Sequence, residues 1–537
     1  MEQKKYDRFG VMLDVSRNAV LKVSEAKRMI DYLQKMGYNT VELYSEDTYE
    51  IAGEPYFGYM RGRYTAAELK EIDAYAVSKG VELIPCIQTL AHFTNLVRHA
   101  VYRPIVDTGD ILLIDEPKTY EFIEKMFKTL AENFTSRNVN IGMDEAHMVG
   151  LGQYLDIHGY QDRYEILIRH LNRVADIAKK YGFRAHMWSD MFFRLTGQGY
   201  YGAGGGIPEH VKKLLPENVD LAYWDYYHTK YEHYDNMFTV HEQFGHDVWF
   251  AGGSWTWSGF APLHEYTLRT MKPAMQSAAA HNIKNIIITM WGDNGKECSF
   301  FSMLPALYTI RRYADGEFDE KKIAAEFTEK FGLSYDDFVK LEYPNRHFYG
   351  EEFQDWQNPC KCLLYSDPFM GLTDAKLKNV IAANGKIPYA NFAKDLEEAG
   401  KNAGEFAYIF RSLSKLCYAL DIKATLGLDI RAAYKAGDKA ALLNLAEACA
   451  EASKRVGEFH EAFLAFWHKE NKPQGWEVQD ARLGGLMQRL KTCGKRLKAY
   501  VGGETDKIDE LEEELIPEEG DKLRYNYYST NVSYSAL

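Results

Sequence analysis

The sequence predicts an α/β chain, a (β/α)8 TIM barrel over residues 1–315 followed by an α-helical C-terminal domain over residues 316–537. Three observations carry that expectation. Eight short β-rich runs alternate with amphipathic stretches up to residue 315, β-branched runs nearly vanish from about residue 320 to 515, and 537 residues exceed what one core absorbs. The runs are RFGVMLDV (8–15), NTVELYSE (39–46), VELIPCIQ (81–88), VNIGMDE (139–145), RAHMWSD (184–190), VDLAYWDY (219–226), VWFAGGS (248–254) and NIIITMW (285–291). Between the first two, VSEAKRMIDYLQKMGY has helical spacing, with Ser24 as its expected cap and Gly37 as its stop. TAAELKEIDAYAVSKG repeats the pattern from Thr65 to Gly80. Strand and helix alternation of this kind, joined by right-handed crossovers, closes into a barrel. Beyond Gly316, Ala, Leu, Lys and Glu at helical spacing take over, as in GDKAALLNLAEACAEASKRVGEFHEAFLAFW.

Composition removes several classes of function. A net charge of −13 with no long Lys/Arg run repels phosphate backbones and anionic lipid, so neither nucleic acid nor a membrane is an expected partner. The acidic tract ETDKIDELEEELIPEEGDK reads as a solvated helix and loop. Seven cysteines are an odd number, and Cys360 and Cys362 lie too close in sequence for a usual disulfide, which predicts a reducing compartment. No apolar run approaches the ~20 residues of a membrane span, and the first residues lack a secretory apolar region. A cytoplasmic location is expected. The aromatic segment FLAFWHKENKPQGW (463–476) marks the helical region as the expected face of a homodimer.

In a TIM barrel the reactive groups stand at the C-terminal strand ends. Those positions here carry Asp14, Ser16 and Arg17; Glu46 and Asp47; Gln88 and His92; Asp144 and Glu145; Trp188 and Asp190; Trp224, Asp225 and Tyr226; Trp255 and Trp257; Trp291, Asp293 and Glu297. Flat indoles beside carboxylates suit a sugar, whose C–H faces pack on aromatics while its hydroxyls need polar partners. GAGGGIP (202–208) is glycine-rich, yet it follows no strand and contains no Lys, so it matches a phosphate loop poorly. The adjacent pair Asp144 and Glu145 has two readings. Close carboxylates raise one pKa and so create a proton donor; alternatively, the pair is a helix cap with a favourable first-turn charge.

IGMDEAHMVGLG resembles the catalytic motif of glycoside hydrolase family 20, the β-N-acetylhexosaminidases, in its hexosaminidase D-like branch, which includes cytoplasmic bacterial enzymes. VMLDVSR, LIPCIQTLAHFTNLVRH, MWSDMF, YWDY and MWGDNGKECS fall on the matching strands, so the resemblance covers most of residues 8–310. It implies substrate-assisted hydrolysis with retention, in which the 2-acetamido oxygen displaces the leaving group and forms an oxazolinium ion, with no cofactor and no metal. It assigns Glu145 as acid and then base, and Asp144 as the group that orients the acetamido N–H. Trp188, Trp224 and Trp291 match pocket-lining positions, and Tyr226 is the candidate donor to the acetamido carbonyl. Trp255 and Trp257 are expected to add rim contacts, and Asp293 and Glu297 to meet distal hydroxyls. The expected partner is a small oligosaccharide or glycoconjugate.

The sequence departs from the family at one position. Many members have an Arg on the first strand that binds the 3- and 4-hydroxyls; Phe9 stands there, and Arg8 lies on the opposite strand face. Recognition is then expected from Glu46, Asp47 or His92. His92 and His147 are equally readable as hydrogen-bonded structural residues. Two other functions fit the residues less well: a metal-dependent TIM-barrel isomerase or hydrolase, and a non-catalytic carbohydrate-binding barrel.

Overall fold

The computed structural model describes residues 5–197, 199–202, 207–525 and 527–535. Its centre is a closed barrel of eight parallel strands: β1 Arg8–Asp14, β2 Thr40–Ser45, β3 Glu82–Ile87, β4 Asn138–Asn140, β5 Arg184–Trp188, β6 Val219–Trp224, β7 Val248–Gly253 and β8 Asn285–Met290. Each strand pairs with the next, and β8 returns to β1 in register Phe9 to Ile286. Every predicted run contains its strand except the fourth, which is cut short. The run was expected to reach Glu145, but Gly142, Met143 and Glu145 adopt φ of 71°, 70° and 54°, which no continuous strand contains.

Helices α1 Val23–Met36, α2 Ala66–Ser78, α3 Pro117–Asn133, α4 Arg163–Lys180, α5 Tyr231–Glu242, α6 His264–Ala280 and α7 Leu304–Asp315 cover the barrel. Thr65 caps α2 in a reciprocal box with Glu68, as its sequence predicts. Ser24 does not cap α1: the helix starts after Lys22 without a side-chain cap, and Ser24 lies within its first turn. Gly37 ends α1 at φ 96° as expected. A short ribbon, Val106–Thr108 with Ile111–Leu112, sits in the loop after β3 and carries no pattern long enough to predict it.

Strand alternation sets what the lumen contains. Met12, Tyr44, Ile84, Cys86, Trp188, Ala222, Trp249, Ala251 and Ile287 pack together inside the barrel. Two-residue steps from these strands lead at the upper end to Asp14, Gln88, Asp144, Asp190, Tyr226 and Asp293. Phe9 has the other parity and packs outward between Tyr6 and Tyr38, with ring centroids 5.1 and 5.0 Å away. Arg8 sits at the lower end, 5.4 Å from the Trp249 ring.

Beyond Gly316 the chain is helical, led by α8 Tyr389–Lys401, α9 Ala407–Lys423, α10 Lys439–Glu470 and α11 Trp476–Gly502. α10 packs between α9 and α11. Phe463, Phe466, Trp467 and Trp476 are buried within the chain, and Phe463 also meets Phe260 of the barrel at 5.7 Å. The aromatic segment expected to form a dimer face is therefore intramolecular core. Among the described residues, no helix is long and apolar enough to cross a membrane. All seven cysteines are free and buried.

Candidate active site

A cavity of about 440 Å³ opens at the C-terminal end of the barrel. Its aromatic lining comes from Trp188, Trp224, Tyr226, Trp257 and Trp291, its polar wall from His92, Asp144, Glu145, Asp293 and Arg17, and the exposed rings of Tyr227 and Tyr527 stand at its mouth. Nine predicted site residues thus converge on one space: His92, Asp144, Glu145, Trp188, Trp224, Tyr226, Trp257, Trp291 and Asp293.

The backbone after β4 explains how two consecutive residues face the same cavity. In a regular strand Asp144 and Glu145 would point to opposite faces. Left-handed Met143 and Glu145 break that alternation, at a cost of order 1–3 kcal/mol per strained residue that the surroundings must offset. Gly142 is required here, because a Cβ would lie 2.2 Å from Gln88 Oε1. The Glu145 N–H donates to Asp190 Oδ2 at 3.1 Å, which fixes the turn. The helix-cap reading fails, since the next helix begins only at Gln153 and its cap position is Gly152.

The two carboxylates have different surroundings. Asp144 is 8% exposed and accepts from Gln88 Nε2 at 2.7 Å and from His92 Nε2 at 3.0 Å. Burial raises its pKa, but the charge of His92 and these hydrogen bonds prevail and hold it below the usual range. His92, buried as well, is pushed up to about 9 by Asp144. Glu145 is more open, its side chain 46% exposed, with His92 Nε2 at 3.9 Å and Arg194 Nη2 at 4.0 Å. The sequence reading placed a raised pKa on this doublet. Asp190 and Asp293 nearby are each pushed up to about 7, first by burial and then by like charge from Asp144 and Asp14 respectively.

Four expected contacts are displaced from the cavity wall. Trp255 is 1% exposed, stacks behind Trp257 at 4.3 Å, and donates Nε1–H to the Tyr226 carbonyl. Glu297 is neutralised by Lys361 Nζ at 2.8 Å and Arg482 Nη1 at 3.1 Å, so it ties the barrel to the helical region. Glu46 accepts from Tyr44 and pairs with Arg17 Nη2 at 3.1 Å, and Asp47 pairs with Arg61. Glu46 thus holds Arg17 at the cavity, where the buried Nε of Arg17 makes no hydrogen bond and lies 3.8 Å from Asp14 Oδ2. Arg17 thus presents a cation to the cavity, whereas Phe9 faces away from it.

Gln88, Asp190 and Arg194 shape the site although the residue pattern assigns them no role. Gln88 and Asp190 were visible as strand-end residues, and their parity matches that of Asp144. Tyr527 had no local signal. Residues 203–206 of the glycine-rich run lie outside the described residues. Among the described residues, no three His, Cys, Asp or Glu side chains converge as a metal-ligand set.

Residues 6–243 match the family model described as glycosyl hydrolase family 20, catalytic domain, and residues 336–526 match the glycoside hydrolase 20C C-terminal domain. Hexosaminidase D of Homo sapiens is 24% identical over 225 residues, 40% of this chain and 44% of that protein. A Beta-hexosaminidase of Akkermansia muciniphila is 24% identical over 177 residues, 27% of this chain and 35% of that protein. The chain thus spans less than half the length of these curated relatives. Among solved structures, a GH20 exo β-N-acetylglucosaminidase from Vibrio harveyi gives a TM-score of 0.46 at 16% identity, covering 63% of this chain and 58% of that one. With the barrel and the helical region both matched by models of one family, the chain belongs to glycoside hydrolase family 20.

Proposed function

We propose that the protein is an exo-acting β-N-acetylhexosaminidase that removes terminal β-linked GlcNAc or GalNAc by substrate-assisted hydrolysis with retained configuration. The observation that carries this reading is the Asp144–Glu145 turn, which aims two carboxylates of different character into one tryptophan-lined cavity. The names of the curated relatives point the same way.

The terminal sugar lies on the aromatic floor with its acetamido group against Trp188, Trp224 and Trp291. Asp144, held as an anion, accepts the amide N–H. Its two oxygens offer about four lone-pair sites, so the Gln88 and His92 hydrogen bonds leave room for one more. Burial keeps the Tyr226 phenol protonated; its oxygen is hydrogen-bonded by the Trp291 and Thr289 side chains, and its O–H turns from Thr289 to donate to the acetamido carbonyl when the sugar binds. That oxygen attacks C1 as the bond to the leaving oxygen breaks, and Glu145 gives the leaving oxygen its proton. In the second half, Glu145 takes a proton from the water that opens the oxazolinium ion from the face the leaving group vacated. Arg17 and Asp293 face the ring's distal hydroxyls.

Release of nitrophenol from its β-N-acetylglucosaminide, β-N-acetylgalactosaminide and plain β-glucoside tests the proposal, each with and without EDTA. Chelator-insensitive cleavage confined to the acetamido sugars is expected. Cleavage of the plain glucoside at a similar rate removes the substrate-assisted step, loss with EDTA replaces it with metal chemistry, and no cleavage of any substrate removes the activity.

A further inference from the structure

The outermost aromatic ring at the cavity comes from the last stretch of the helical half, far in sequence from every barrel strand. Tyr527 lines the mouth and is 61% exposed, yet the backbone around it is pinned. The buried side chain of Asn531 donates to the Tyr527 carbonyl at 3.0 Å. The next N–H, of Tyr528, donates to Asn294 Oδ1 at 3.0 Å, directly beside the cavity residue Asp293. The Tyr528 ring is wedged edge-on against Tyr365 at 4.9 Å and under Arg482 at 5.0 Å. Upstream, Asn358 accepts the Tyr525 N–H at 3.1 Å, and its own N–H donates to the Leu523 carbonyl at 2.8 Å. A fixed backbone that leaves a large ring open over a cavity exposes apolar surface at no flexibility gain, which is the arrangement of a binding platform rather than of a loose end.

We propose that Tyr527, which lines the same cavity as the exposed Tyr227, forms a subsite for the leaving group and selects substrates whose terminal sugar is linked to a further sugar ring. The inference rests on the exo-hexosaminidase reading above: with the terminal sugar on the tryptophan floor, the group beyond the glycosidic oxygen is what passes the mouth. An exposed tyrosine offers a flat apolar face to the C–H side of a second pyranose and a hydroxyl to its rim. The helical region then takes part in substrate choice as well as in stability.

The test compares Tyr527→Ala and Tyr527→Phe with the unaltered chain on N,N'-diacetylchitobiose and on N-acetylglucosaminyl fluoride, whose leaving group is too small to reach the subsite. Tyr527→Ala should lower kcat/KM for the disaccharide about five- to tenfold, mainly through KM, and leave the fluoride unchanged. Tyr527→Phe should retain most of the disaccharide preference. An unchanged ratio between the two substrates, whether both rates fall together or neither does, overturns the subsite. An unaltered chain that cleaves neither substrate overturns the hexosaminidase reading itself, and the subsite with it.

Discussion

The proposed mechanism gives Glu145 and Asp144 separable tasks, and substitution should separate them. Glu145→Gln retains shape but gives no proton, so kcat on a disaccharide should fall ~10²- to 10⁴-fold. The loss should shrink for a nitrophenyl leaving group that departs unprotonated, and equal losses on both would contradict the acid role. Asp144→Asn should depress turnover of N-acetyl substrates, and near wild-type kinetics would dismiss it as the amide's anchor. Asp190 gives a stability signature. Its folded carboxyl keeps its proton up to about pH 7 against an ordinary value of 3.8, so its contribution is complete below about pH 3.8 and is lost as pH rises through 7. Asp190→Asn should flatten that part of the unfolding free energy against pH in urea titrations; an unaltered slope refutes the assignment. At this scale the sequence was legible where strand parity decides, as for Trp188 and Tyr226, whereas Asp144 reaches the cavity through the left-handed turn after β4. Trp255 and Glu297 misled because a strand-end position does not show whether a side chain forms the wall or stands behind it. Arg17 was legible as a strand-end cation but its role was not, since Glu46 aims it across the loop.

Among elements, β4 and its turn are the least regular part of the barrel and the most consequential. Gly142→Ala would place a methyl 2.2 Å from Gln88 Oε1 and 2.8 Å from the Ile87 carbonyl, at φ +71°. The Gln88 side chain must shift, taking its Asp144 hydrogen bond with it, so both melting temperature and kcat should drop. A variant as active and stable as the parent would show that the turn tolerates rearrangement. Thr65→Ala is the matching control far from the cavity: loss of the α2 cap should cost ~1 kcal/mol in denaturant titration and leave kcat unchanged. Regular strands and the Thr65 box were readable because local chemistry dictates both. The early end of β4 was not, because Met143 and Glu145 are ordinary residues forced into left-handed geometry by packing, and a residue's name does not disclose that.

At the scale of the whole molecule, the barrel and the helices share a buried ionic joint. Lys361 Nζ reaches Glu297 at 2.8 Å and the Asn294 carbonyl at 3.0 Å, while Arg482 holds the other Glu297 oxygen and Asn294 Oδ1. Lys361→Met leaves a buried carboxylate one cation short and should cost roughly 3–5 kcal/mol. A drop under about 1 kcal/mol in urea unfolding would show that Arg482 alone suffices. Such long-range pairing has no periodic signature, so the sequence separated two regions without showing that the second one grips the first. That grip bears on how relatives of this chain can diverge. Since Asn294 is clasped from the helical side, exchanging everything after Gly316 for another member's counterpart would refit the doorway while leaving the reaction chamber intact. Changes of diet in such enzymes can then be sought in a region that carries none of the chemistry.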